Sequence, residues 1–539
     1  MSPTRSSRPA LSLKQAASRG AAVTAGGLWL KTLIQLASTM LLARLLDPTD
    51  FGLIAMIMAI VGVADLVRDF GMTGAILQAK KLTPKQWSSL LWFSSGLGMV
   101  LMIAIAAASP LIAILYGEDR LIVLTLAIAP TLLLNALTMP MQAALQRDLR
   151  FGTLAMIDIV SMLVGVVLSL VAALLGFGVW SLVILAGAGQ VYRLIALWVS
   201  ARLHWGAPRI GRDIYPLLST GGSIFGVQLL NYASRNLDNV IIGQQLGPAA
   251  LGQYSRAYAL FLLPQQQLNG PLGRVALPVL SRLQDEPDRY RRYVRASLMI
   301  IGYLSLPTYA IAAAVAFPLM EVLLGPGWDA AAAVFALLAI AGVAQAIGNV
   351  QGWLYITLGR AHRQLVYYLI TRPIVIAGFV VGVWWDGLNG LALVYGLITL
   401  TLLVPGFWAA IHGTFLRGWA DIVSPLVRPV IVAPLGFAAA YAAVQFTAPV
   451  LPALLQVIVG GLAGVAAIAA SMIIPAYRRD IAAIIDFAKS ARGTPKQKAG
   501  ASPVDQEATT LGATEPALAD IEEEVMTDAA SRRRAKETR

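Results

Sequence analysis

Lys31 stands out chemically in this sequence, because it lies in a long apolar stretch that contains no acidic residue. In a membrane helix beginning near residue 20 it would lie roughly 17 Å along the axis, too deep to reach water easily. Thr24, Gly27, Gln35 and Ser38 share its helical face at three- and four-residue spacing. A charge at mid-membrane costs about 2.5–3.5 kcal/mol or more, so the pattern favours a cation that lines a cavity over a structural one.

A second polar stripe occurs farther along the chain. Gln228, Asn231, Arg235 and Asp238 follow one another at three- and four-residue spacing, as residues on one helical face do. Arg235 and Asp238 are one turn apart. They either pair with each other or face a cavity, and the sequence leaves both interpretations open.

Asp65, Arg68 and Asp69 form a charged cluster in another apolar stretch. Opposite charges three or four residues apart can pair on a helix, so a salt bridge that steadies the structure is slightly favoured here. The alternative interpretation is that Arg68 lines a cavity and that the two aspartates bind H⁺ or Na⁺.

Aromatic and amide side chains share one face in residues 254–269. Tyr254, Tyr258, Gln265 and Asn269 suit contacts with a sugar or a lipid head group, and Arg256 lies beside them. Such faces also occur at ordinary helix interfaces. Weaker candidates of the same kind are Gln345, Asn349 and Arg372. Asp158 and Arg193 lie near the ends of their apolar stretches, and we expect them to reach water there.

The elements that position these residues are membrane-spanning helices. Of the 539 residues 58% are apolar and 13% charged, against roughly 45–50% and 25% in soluble proteins. Apolar runs of about 20 residues recur, long enough to cross a ~30 Å hydrocarbon core, where backbone polar groups must be satisfied within a helix. The sequence predicts an all-α polytopic membrane protein with about fourteen spans: 20–45, 51–77, 87–115, 120–146, 151–175, 178–201, 216–242, 249–273, 293–316, 329–357, 363–384, 388–412, 423–445 and 451–474.

Lysine and arginine are concentrated in every second turn, around residues 80–85, 147–150, 202–212, 282–292, 360–363 and 417–428. Short basic loops stay in the cytoplasm, so both ends of the chain are predicted to be cytoplasmic. In the intervening short turns Arg120 is the exception. The net charge of +13 therefore comes mostly from the turns that are predicted to be cytoplasmic. For this reason a nucleic-acid partner is not expected.

An internal repeat relates the two halves of the chain. Leu46, Pro48 and Gly52 recur in order as Leu246, Pro248 and Gly252, each set in the first short turn of a group of six spans. Because six is even, the two copies have the same orientation, which is typical of transporters with a site between parallel repeats. The predicted organisation is a cytoplasmic segment (1–19), a six-helix lobe (20–201), a second six-helix lobe (202–413), two extra helices (414–475) and a cytoplasmic, mostly disordered tail (476–539).

Other chemistry has little support in this sequence. The three histidines show no metal-ligand spacing and there is no cysteine, so no metal or thiolate site is predicted. No Walker-type loop is present, and the short external turns leave no room for a catalytic domain. We therefore expect no enzyme activity and no bound cofactor.

The sequence resembles the bacterial polysaccharide exporters, flippases of lipid-linked oligosaccharides in the multidrug/oligosaccharidyl-lipid/polysaccharide flippase superfamily. The colanic-acid and teichuronic-acid exporter branch is the most similar. The likeness covers roughly residues 15–475. The segments that carry it are 43–52 (ARLLDPTDFG), 69–71 (DFG), 146–151 (QRDLRF), 237–242 (LDNVII) and 274–283 (RVALPVLSRL).

This resemblance implies two lobes around a central cavity that opens to each side of the membrane in turn. The implied cargo is an undecaprenyl-diphosphate-linked oligosaccharide, and the implied partners are membrane lipids and polymerase or glycosyltransferase proteins. Basic residues in the first helices of each lobe hold the diphosphate in related flippases, which implies this role for Lys31 and, less directly, for Arg235 and Arg256. The main alternative is an ion-coupled multidrug antiporter, with Asp65 and Asp69 coupling H⁺ or Na⁺.

Overall fold

A computed structural model of this chain describes residues 13–69, 76, 82–201, 206 and 215–492. Helices dominate these residues, and no strand occurs among them. Fifteen α-helices follow one another: α1 (Leu13–Ala43), α2 (Pro48–Asp69), α3 (Pro84–Tyr116), α4 (Arg120–Ile128), α5 (Pro130–Arg147), α6 (Phe151–Leu174), α7 (Trp180–Ala201), α8 (Tyr215–Arg282), α9 (Pro287–Ala314), α10 (Ala316–Leu324), α11 (Asp329–Thr357), α12 (Ala361–Ile411), α13 (Ser424–Thr447), α14 (Ala453–Ser471) and α15 (Pro475–Arg492). A π-helix (Gly418–Val423) precedes α13.

Ten helical segments of the described chain are long and apolar enough to cross a membrane. The prediction of an all-helical, multi-pass membrane protein is confirmed. Helix α1 begins at Leu13, earlier than the predicted span, because a helix can continue past the bilayer surface into water. The predicted disordered tail beyond residue 492 lies outside the described residues.

Helices α8 and α12 are each interrupted where the sequence predicts a turn. At 68 and 51 residues they would measure roughly 100 and 75 Å if straight, far more than one membrane crossing needs. The helical backbone breaks at Gly247, whose φ is 81°, and at Asp386 and Gly387, where the φ of Gly387 is 54°. Glycine adopts such left-handed conformations without a steric penalty. The total of fourteen spans stays a prediction.

The two turns that carry the repeated motif lie against each other. There, the repeated motifs contact each other reciprocally: a Cβ on Gly52 would overlap the carbonyl oxygen of Pro248, and a Cβ on Gly252 would overlap that of Pro48. This exchange of equivalent contacts is the local two-fold relation that the sequence repeat predicts. It allows α2 and α8 to pack backbone against backbone.

Two side chains reinforce this end. Trp328 donates from its indole Nε1 to the carbonyl oxygen of Ala43 (3.1 Å), and Arg44 donates to that of Val322 (2.7 Å). We call these contacts and the reciprocal glycine contact the short-turn seal. The largest apolar core, which includes the buried Trp328, joins α2, α8 and α11 beneath it.

Arg120, the one basic residue predicted in a short turn, is paired there. Its guanidinium donates to both carboxylate oxygens of Glu118, at 2.7 and 2.9 Å. These hydrogen bonds hold the pKa of Glu118 below its usual range. The exception to the charge pattern is thus a local ion pair.

Candidate functional site: a polar chamber between the two halves

Three adjoining cavities extend from residues 13–201 into residues 215–411: the first is lined by residues 31–193 and Arg256, the second by both parts of the chain, and the third by residues 232–403 alone. We call them the basic cavity (about 370 Å³), the middle cavity (about 390 Å³) and the aromatic cavity (about 520 Å³). The middle cavity shares Ser38, Thr39, Leu185, Ala186 and Arg256 with the basic cavity. It shares Tyr232 and Asn236 with the aromatic cavity. Together they form the chamber.

The basic cavity carries the charge of the chamber. Its polar lining comes from four helices: Lys31, Gln35, Ser38 and Thr39 of α1, Asp158 and Ser161 of α6, Gln190 and Arg193 of α7, and Arg256 of α8. Three cations and one carboxylate leave a net charge of +2. The cavity therefore favours an anion, and the apolar surroundings strengthen that preference because they screen charge less than water does.

Glycines bring α6 and α7 together beside this cavity. A Cβ on Gly189 would lie 2.7 Å from a carbonyl oxygen of α6, and one on Gly165 would lie 3.0 Å from a carbonyl oxygen of α7. At this close approach Arg193 Nε lies 3.1 Å from Asp158 Oδ1. Arg193 also donates to Gln142 Oε1 at 2.8 Å. One of the three cations is thus already neutralised.

Lys31 and Arg256 are the two cations left over. Neither forms an ion pair with a residue that the structure describes. The guanidinium carbon of Arg256 lies 4.8 Å from the ring centre of Phe51, a cation–π contact that fixes its position. Its Nε is buried and finds no hydrogen-bond acceptor in the described part of the chain. Both cations are therefore available to an anionic ligand.

The aromatic cavity has a different character. Its lining holds five tyrosines (Tyr232, Tyr258, Tyr367, Tyr368 and Tyr395), five amides (Asn236, Gln265, Gln345, Asn349 and Gln351), Thr371, Thr399 and one cation, Arg372. Within the lining Gln345 Nε2 donates to the Tyr395 hydroxyl at 2.7 Å. Arg372 lies over the ring of Tyr368, 5.2 Å from its centre. The buried Gln265 Nε2 finds no acceptor among the described residues.

The structure brings four of the predicted site residues to the chamber: Lys31, Gln35 and Arg256 in the basic cavity, and Gln265 in the aromatic cavity. The weaker candidates Gln345, Asn349 and Arg372 also line the aromatic cavity. The side chains of Gln228, Asn231, Arg235, Asp69 and Asn269 lie outside the described residues.

Asp238 lies in the protein core, apart from the lining of the three cavities. Only 3% of it is exposed. Its Oδ2 accepts a hydrogen bond from the Tyr254 hydroxyl (2.7 Å), and its Oδ1 accepts one from the backbone N–H of Asn239 (2.8 Å). Within the described side chains these contacts satisfy the carboxylate and give it a structural role.

Asp65 and Arg68 pair with each other at 3.0 Å. Neither residue belongs to the lining of the three cavities. The arrangement agrees with the interpretation of a local salt bridge in α2.

Asp158 and Arg193, which we expect from the sequence at the water-exposed ends of their helices, line the basic cavity. Gln190, which is not among the residues predicted for the site, lines it as well. A signal was present, because Asp158 and Ser161, and Gln190 and Arg193, are each three residues apart on otherwise apolar helices. No group of three potential metal ligands occurs in the part of the chain that the structure describes.

The fold and the chamber define a multi-pass helical membrane protein with a polar chamber that is lined by both halves of the chain. Residues 41–333 match the polysaccharide biosynthesis protein family, and the chain belongs to that family. The lipopolysaccharide biosynthesis protein WzxC of Escherichia coli (strain K12) is 26% identical over 363 residues, which cover 65% of this chain and 72% of that protein. The resemblance to polysaccharide exporters is thereby confirmed.

Two solved structures share the fold. The lipid II flippase MurJ, in an inward closed conformation, has a TM-score of 0.64 at 13% sequence identity and covers 85% of this chain and 99% of its own. An inward-facing multidrug resistance transporter of the MATE family has a TM-score of 0.54 at 16% identity and covers 70% and 93%. Since a lipid flippase and a drug transporter share it, the fold alone does not distinguish their cargoes.

Proposed function

We propose that this protein moves undecaprenyl-diphosphate-linked oligosaccharides from the inner to the outer leaflet of the cytoplasmic membrane, for the synthesis of a cell-surface polysaccharide. The observation that carries the proposal is that Lys31 and Arg256 face one chamber, without a carboxylate partner among the described residues. Membership of the polysaccharide biosynthesis family supports the same class of cargo.

The chemistry of the cargo matches these two cations. A diphosphate diester carries two negative charges and offers several acceptor oxygens, and charge-assisted hydrogen bonds to such groups are about twice as strong as neutral ones. A bound diphosphate would offset the free-energy cost of keeping unpaired cations within the membrane. The net charge of +2 in the basic cavity equals in magnitude the charge of one such diphosphate.

Alternating access is part of the proposal, and the position of the contact between the two halves supports it. The short-turn seal joins them at one end, and the basic turns, which we assign to the cytoplasm, lie at the other. In this orientation the seal closes the chamber toward the outside, and both termini are cytoplasmic. Release of the cargo then requires the seal to open.

The multidrug antiporter is the weaker candidate. A cationic drug would enter a chamber of net positive charge, which opposes its binding. The one described acid of the α2 cluster, Asp65, is already paired with Arg68. Coupling to H⁺ or Na⁺ through Asp65 or Asp69 remains an independent proposal, compatible with either cargo.

The test replaces Lys31 in cells of the native producer that lack the chromosomal copy. We expect Lys31→Glu to lower surface polysaccharide at least about tenfold, because it turns an attraction for the diphosphate into a repulsion. Lys85→Glu is the matched control, since Lys85 is exposed at the start of α3. The measurements are surface polysaccharide and the amount of protein in the membrane.

Lys31→Glu cells should also accumulate lipid-linked repeat units on the cytoplasmic leaflet. Normal surface polysaccharide in these cells, at wild-type protein levels, would refute the role of the cation.

A further inference from the structure

The chamber is divided into a charged end and a neutral end. Lys31, Arg193 and Asp158 line the basic cavity alone, and Arg256 lies where the basic and middle cavities meet. The aromatic cavity at the other end has Arg372 as its sole charged lining residue in the described chain. A ligand that fills both ends must itself have an ionic part joined to a neutral, polar part.

The neutral end offers what a sugar ring needs. A pyranose presents apolar C–H faces, which pack on aromatic rings, and hydroxyl groups around its edge, which both donate and accept hydrogen bonds. Tyrosines supply the rings and hydroxyls, while amides and threonines supply neutral donors and acceptors. At about 520 Å³ the cavity is of the size that binds small organic ligands, roughly 300–1,000 Å³.

One buried donor in this cavity calls for an acceptor. Gln265 Nε2 is shielded from solvent and has no hydrogen-bond partner among the described residues. Buried polar atoms nearly always form hydrogen bonds, and a buried polar atom without one costs about 1–3 kcal/mol of free energy. A ligand hydroxyl in the aromatic cavity would satisfy it.

Other ligand classes fit this cavity less well. An acyl chain would cover a polar lining and offer no hydrogen bond to the buried Gln265 Nε2. A cationic drug would lack a carboxylate partner in the described lining and would meet Arg372. A second phosphate group would find one cation, held over the ring of Tyr368.

We propose that the aromatic cavity binds the sugar portion of the cargo while the basic cavity binds its diphosphate. The second half of the chain then determines which glycan is recognised. This inference rests on the proposed function, because it takes a lipid-linked glycan as the cargo. The middle cavity, which shares lining residues with both ends, accommodates the linkage between sugar and diphosphate.

The experiment compares two lipids by native mass spectrometry of the full chain in nanodiscs. One probe is undecaprenyl diphosphate without sugar. The other is the lipid-linked oligosaccharide extracted from membranes of producer cells that lack this protein. The test variant combines Gln265→Leu, which removes the donor that lacks a described partner, with Asn349→Leu, which removes a second amide of the lining. Gln445→Leu is the matched control, on α13 and outside the chamber.

We expect the double variant to bind the oligosaccharide lipid at least about tenfold more weakly, the effect of losing two neutral hydrogen bonds. Its affinity for undecaprenyl diphosphate should equal that of the wild type. Lys31→Gln should weaken the binding of both lipids, and Gln445→Leu should weaken neither.

Unchanged binding of the oligosaccharide lipid by the double variant would overturn the sugar site, as would an equal loss for both lipids. These results leave the proposed function in place as long as Lys31→Gln weakens both lipids. If Lys31→Gln changes the affinity for neither lipid, the result contradicts the diphosphate site and, with it, the proposed function.

Discussion

At the scale of single residues, the environment of each charge decides whether it binds a ligand or stabilises the protein. Lys31 and Asp238 are both ionisable residues within apolar helices. Lys31 lines a chamber and has no ion-pair partner in the described chain, whereas Asp238 is buried and accepts a hydrogen bond from Tyr254. The first arrangement leaves Lys31 without a protein partner in the described chain, and the second satisfies the Asp238 carboxyl group within the protein.

Replacing Tyr254 by phenylalanine tests this assignment. Tyr254→Phe leaves Asp238 Oδ2 buried without its donor, at a cost of about 1–3 kcal/mol. We expect a lower unfolding temperature in detergent, measured by intrinsic fluorescence, with unchanged affinity for undecaprenyl diphosphate. Tyr441→Phe on α13 is the control, because Tyr441 is 48% exposed. A selective loss of lipid binding at unchanged stability would assign the Tyr254–Asp238 pair to the ligand site.

At the scale of secondary-structure elements, glycine determines which helices approach closely. The backbones of α2 and α8 are in contact at Gly52 and Gly252, and those of α6 and α7 at Gly165 and Gly189. The first contact forms the short-turn seal, and the second brings Asp158 and Arg193 to the basic cavity. A side chain at any of these four glycines would push one helix away from the other.

Alanine substitutions measure how much the close contact between α2 and α8 contributes to the stability of the protein. In an open helical position Gly→Ala stabilises by about 0.4–1 kcal/mol, and Gly96 of α3 is such a position, because a Cβ added there would meet open space. At Gly52 or Gly252 the same methyl group overlaps a carbonyl oxygen, so we expect destabilisation of about 1–3 kcal/mol. Thermal unfolding of the purified variants checks this, and equal effects at Gly52 and Gly96 would contradict it.

At the scale of the whole molecule, the proposed transport cycle requires both the seal and the chamber to change. The seal joins the halves at the short-turn end, and the chamber extends from one half into the other. If the cargo leaves on that side, Arg44 must separate from Val322 in every cycle. A covalent link between these two positions would then stop transport.

The sequence contains no cysteine, so a thiol-specific cross-linking reagent can react only with cysteines that are introduced at these two positions. In the variant Arg44→Cys/Val322→Cys, a bifunctional thiosulfonate reagent with the reach of an arginine side chain should link α1 to α10. We expect loss of lipid translocation in proteoliposomes and its recovery after reduction. The two single-cysteine variants, treated in the same way, are the controls. Undiminished translocation by the fully linked protein would show that the seal does not open.

The sequence by itself determined the membrane class, the helical fold and the repeat, and it predicted that Lys31 lines a cavity. Hydropathy and charge act locally, within one helix or turn, so a linear pattern records them. The glycine repeat also proved informative, because the two copies of one motif meet each other. The resemblance carried by segments such as ARLLDPTDFG gave the family.

Only the tertiary structure decided which polar residues share a cavity. Asp158 and Arg193 line the basic cavity because Gly165 and Gly189 let α6 and α7 approach. Asp238 is withdrawn from the chamber because Tyr254 of the same long helix folds back onto it after the break at Gly247. Helical periodicity gives the face on which a residue lies, but the packing of segments far apart in sequence determines what that face meets.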